Sequence, residues 1–71
     1  TPFTQAPELC VEIASPSNSL KELREKVAAY LAAGALEAWI VYPQSKRFEY
    51  SARGGSIQRS NYVVDLSALF D

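Results

Sequence analysis

Residues 7–26 read P-E-L-C-V-E-I-A-S-P-S-N-S-L-K-E-L-R-E-K, and this stretch sets out a strand, a turn and the start of a helix. Leu9, Cys10, Val11, Ile13 and Ala14 form an apolar run interrupted only by Glu12. Apolar residues on both faces of a short run predict a strand over residues 8–14, buried on both sides, in a central or parallel position of a sheet. Pro7 and Pro16 bracket it. A carboxylate inside such a strand is costly unless it is paired or put to use. Glu12 is therefore the first candidate functional residue, with Lys26 or Arg24 as its structural partner if it is only being balanced.

Outward from this strand, Ser15 to Asn18 form a turn, and Ser19 with Glu22 three residues on is a capping box for the amides of a helix beginning at Leu20. Amides at a helix start also suit a phosphate, although capping accounts for these residues by itself. Leu20, Leu23, Val27, Tyr30 and Leu31 recur at helical spacing to about residue 33, where Gly34 supplies the left-handed stop. Lys21, Glu22 and Glu25 face water. Lys26 projects about 90° from the centre of the stripe, on the border between core and solvent. A lysine there either snorkels or reaches a site at the edge of the sheet.

Ala38-Trp39-Ile40-Val41-Tyr42 reads as a second strand ended by Pro43, so the unit is βαβ, with parallel strands and a right-handed crossover. Arg47 to Ala52, a turn at Arg53-Gly54-Gly55 and then Ser56 to Val64 predict an antiparallel meander. Asp65 opens a short C-terminal helix carrying Leu66, Leu69 and Phe70. Trp39, Tyr42, Phe48 and Tyr50 alternate along neighbouring strands, as core-filling or cross-strand aromatics do.

Seventy-one residues, 48% of them hydrophobic, make a single α/β domain with a thin core, since a chain this short buries only roughly 60% of its unfolded surface. A net charge of −1 and a pI of about 5.3 give none of the basic excess typical of autonomous nucleic-acid binders. The single cysteine, Cys10, has no internal partner and reads as a small buried hydrophobe in a reducing, cytoplasmic setting. No apolar run approaches the roughly 18 residues of a membrane span, and the start, Thr1-Pro2-Phe3-Thr4, lacks the order of a secretory signal. Without an initiator methionine, the chain is expected to be the later part of something longer.

Three segments together, P-E-L-C-V-E-I-A-S-P-S-N, K-x-x-x-Y from Lys26 to Tyr30, and A-G-A-L-E-A-W-I-V-Y-P from Ala33 to Pro43, resemble the Uma2 family of restriction endonucleases, members of the PD-(D/E)XK nuclease superfamily. The V-V-D-L-S-A-L-F ending resembles that family's closing element. The resemblance implies the later half of an αβββαβ nuclease core, cleaving DNA with Mg2+ or Mn2+. It implies Glu12 as a catalytic carboxylate and metal ligand and Lys26 as the catalytic lysine, moved from the strand to the following helix. Glu8 stands where the family usually has aspartate, which makes it a second candidate metal ligand; Tyr42 stands at another such position. The family's first catalytic aspartate belongs to an earlier strand that these 71 residues do not contain.

Two functions follow as expectations. One is a metal-dependent endonuclease, incomplete in this chain. The other is a catalytically inactive remnant that serves as an interaction module. Half a domain exposes a sheet edge and an apolar helix face, which predicts a homodimer or higher oligomer.

Overall fold

The computed structural model describes residues 7–67. Its elements run β1 (Leu9–Ile13), α1 (Leu20–Ala32), β2 (Glu37–Tyr42), β3 (Arg47–Ala52) and β4 (Gly55–Ile57). The capping box forms as predicted: the Glu22 amide donates to Ser19 Oγ at 3.1 Å, and the Ser19 amide to Glu22 Oε1 at 3.3 Å. Gly34, at a φ of 111°, turns the chain left-handed after the helix, and its amide closes on the Leu31 carbonyl at 3.1 Å. A residue with a Cβ would resist that turn.

The four strands lie in the order β1-β2-β3-β4. β1 pairs with β2 in parallel, and β2–β3 and β3–β4 are antiparallel, so the small mixed sheet holds the expected parallel strand–helix–strand unit. Alternation along each strand divides the sheet into two faces. Cys10, Ala14, Ala38, Ile40 and Tyr42 lie against Leu23, Val27, Tyr30 and Leu31 of α1. On the opposite face the Trp39 ring meets Tyr50 edge-on at 5.0 Å and Phe48 at 6.1 Å. Aromatic cross-strand contacts of this kind stabilise a sheet beyond the area they bury.

Two expectations are corrected. The doubly buried strand is β2, where Ala38, Ile40 and Val41 are at most 1% exposed, whereas β1 is half-buried and its Ile13 is 42% exposed. Both segments are apolar, but of the two it is β2 that has a strand on each side: the α1 crossover lays β1 along one flank, and the turn after Pro43 folds β3 onto the other. The meander is also shorter than its residues suggest, because β4 stops at Ile57 instead of running to Val64. Ser60 and the Asn61 amide turn inward to a carboxylate of β2, so this segment spends its donors on a side chain and leaves the ladder. At the C-terminal end, Asp65 accepts the Ser67 amide at 3.0 Å; Leu69 and Phe70 of the expected helix lie outside the described residues.

Candidate functional site

Glu12 projects from β1 towards α1, and the helix meets it with two side chains one turn apart. Lys26 Nζ stands 3.7 Å from Glu12 Oε2, and the Tyr30 hydroxyl donates to Glu12 Oε1. Positions i and i+4 are neighbours on a helix surface, so the K-x-x-x-Y spacing places both groups over one point of β1. The Glu12 side chain is 17% exposed and that of Lys26 is 52% exposed, so the cluster opens to solvent on the flank of the sheet. The hydrogen bond to Glu12, reinforced by burial and by the carboxylate's charge, pushes the Tyr30 phenol up to about 12. Tyr30 therefore stays a donor throughout the neutral range.

Of the two partners open to Glu12 in the sequence, the structure selects Lys26. Arg24 turns to the other side of α1 and forks onto Glu49 of β3, with Nε at 3.2 Å and Nη2 at 3.1 Å from its two oxygens. Glu8 does not join the cluster. It lies four residues back along extended chain, roughly 13 Å from Glu12, and its Oε1 accepts the Tyr62 hydroxyl at 3.3 Å. Cys10 packs half-buried under α1, where burial first and Glu12 second push its thiol up.

Two residues to which the sequence reading gave no site role matter here. Tyr30 reads as one more member of the apolar stripe, and only its spacing from Lys26 marks its hydroxyl as the second partner of Glu12. Glu37 opens β2 at 2% exposure. It accepts from Trp39 Nε1 at 3.0 Å, from the Asn61 amide at 2.9 Å and from Ser60 Oγ. Burial alone would push this carboxyl up, but the three donors outweigh it and hold it below the ordinary carboxylate range. The signal lies in the E-A-W order, since residues two apart on a strand share a face.

A divalent ion of the Mg2+ or Mn2+ type takes about six oxygen ligands, with carboxylates among them. Among the described residues no group of three or more Asp, Glu, His or Cys side chains is placed to hold one, and Glu12 is the one carboxylate of its cluster. The described residues alone therefore do not fit such an ion. They define an open carboxylate–lysine–tyrosine cluster carried on an α/β scaffold. A family model described as "Uma2: Putative restriction endonuclease" matches residues 1–69. The chain belongs to the Uma2 family, whose description names a restriction-endonuclease-like function. No curated protein and no solved structure matches it. No helix among the described residues is long and apolar enough to cross a membrane.

Proposed function

We propose that the chain carries the glutamate–lysine half of a DNA-cleaving site of the PD-(D/E)XK type, and that it corresponds to the later part of a larger nuclease domain. The observation that supports this is the pairing of Glu12 with Lys26 at 3.7 Å on an open flank, where a buried structural pair would exclude water. Lys26 keeps its remaining N–H donors free to meet the negative charge that develops on a phosphoryl group in the transition state. Tyr30 fixes the Glu12 carboxylate from the side away from Lys26. The Mg2+ or Mn2+ implied by the family requires a second carboxylate from beyond residues 7–67, supplied by other parts of the protein or by a partner copy; Glu12 is its ligand in this chain.

Calorimetry with Mn2+ tests the ligand role. Binding to the protein that disappears in Glu12→Ala, while the melting temperature stays within a few degrees, supports it. If the whole protein, with its second carboxylate in place, binds no Mn2+, Glu12 and Lys26 form a structural pair. A second reading, a self-associating interaction module, is favoured by β1, which is an outer strand of the described sheet and carries the exposed Ile13.

A further inference from the structure

A cavity of about 650 Å³ opens where the C-terminal ends of β1 and β2 meet the start of α1. Its volume falls within the roughly 300–1,000 Å³ of small-ligand sites, and clefts outside the carboxyl ends of parallel strands are where α/β sheets bind ligands. The lining divides by chemistry. Leu20, Tyr42 and Pro43 give an apolar, partly aromatic surface, and Arg47 and Asn18 contribute polar donors. The Arg47 guanidinium stacks over the Tyr42 ring at 5.3 Å and makes no ion pair among the described residues. The cavity's other arginine, Arg24, is neutralised by Glu49, so Arg47 is the uncompensated cation. The Asn18 carbonyl oxygen is occupied by the Ser15 amide and hydroxyl, which leaves its NH2 group to meet an acceptor.

Leu20 belongs to the apolar stripe of α1 yet is 44% exposed, and the cavity is where it lies. A planar apolar body carrying an anion suits the apolar surface and Arg47, while the lining's one carboxylate, Glu49, is held by Arg24. Ala14 also lines the cavity, and it follows Glu12 on the same face of β1 at a distance of roughly 7 Å.

We infer that this cavity binds a nucleotide unit, its base against Tyr42, Pro43 and Leu20 and its phosphate on Arg47 and Asn18, next to the phosphodiester facing Glu12 and Lys26. The inference rests on the nuclease reading of Glu12 for its choice of ligand, but its test does not need cleavage. Chemical-shift titration without divalent metal, using a 5′-phosphorylated tetrathymidylate and its uridine counterpart, reads the site directly. The expected result is saturable shifts at Asn18, Leu20 and Tyr42, weakened about tenfold in Arg47→Gln and not lost in Glu12→Gln. Whichever strand binds more tightly names the nucleic acid. No shifts with either strand, an equal response to inorganic phosphate alone, or an Arg47→Gln protein that binds as well as the parent would overturn the proposal. Because Glu12→Gln removes the hydrolytic site and spares the cavity, either reading can fail while the other stands.

Discussion

At the scale of single residues, Tyr30 and Glu37 report on how two carboxylates are held. The Tyr30 hydroxyl is bonded to Glu12 in the folded chain and to water in the unfolded one, so its pKa rises on folding from the ordinary 10.0 to about 12. The stability this bond contributes is complete below pH 10 and is lost as the pH climbs towards 12. Tyr42 and Tyr62 are also raised, and ultraviolet titration of the tyrosines is expected to show a phenol near pH 12 that moves down in Glu12→Gln. Glu37 has the opposite sign: its carboxyl is held low when folded, so its contribution is present above the unfolded value of 4.5 and disappears as the pH falls through the folded value. Glu37→Leu strands the donors of Trp39, Ser60 and Asn61 and is expected to cost about 2–4 kcal/mol in urea unfolding. The same variant should flatten the acid limb of the stability profile. Glu12 and Lys26 were legible in the sequence because each breaks a periodic pattern: a charge in an apolar strand, a cation at a stripe border. Tyr30 obeys the pattern with its ring and departs from it only with its hydroxyl, so hydropathy hides it.

At the scale of elements, α1 was legible almost to the residue because both its ends are written locally, in the Ser19–Glu22 box and in Gly34. Ser19→Ala removes the acceptor of the Glu22 amide and is expected to lower stability by about 1 kcal/mol, measured as a shift of the denaturation midpoint. The strands were less legible because their burial is decided by neighbours. β1 and β2 are equally apolar, and only the crossover and the turn after Pro43 make β2 the strand with partners on each side. The end of β4 was hidden for a related reason. Tyr62-Val63-Val64 suit a strand, but a buried carboxylate 23 residues from Ser60 offers the segment a different set of hydrogen bonds.

At the scale of the molecule, 71 residues support a stability of only about 4–10 kcal/mol, and the core is a few side chains. Ile40, 1% exposed between α1 and the sheet, is the place where a cavity does most harm: Ile40→Ala should cost about 2–5 kcal/mol and leave the domain marginal. Self-association belongs to the same scale. If β1 docks against another copy, sedimentation at tens of micromolar shows a dimer or larger species that Ile13→Lys dissociates, whereas a compact monomer of the parent protein counts against that reading. The cluster of Glu12, Lys26 and Tyr30 is tested most directly by whether a phosphodiester bond is cleaved through it. The direct measurement is cleavage of supercoiled DNA in Mn2+ by the whole protein, with the second carboxylate present, beside its Glu12→Gln and Lys26→Met variants, with each protein's folding checked by circular dichroism. Nicked or linear product is expected from the unsubstituted protein, with a loss of about 100-fold or more in both folded variants. Intact DNA with the unsubstituted protein, or equal cleavage by folded Glu12→Gln, would contradict the nuclease reading.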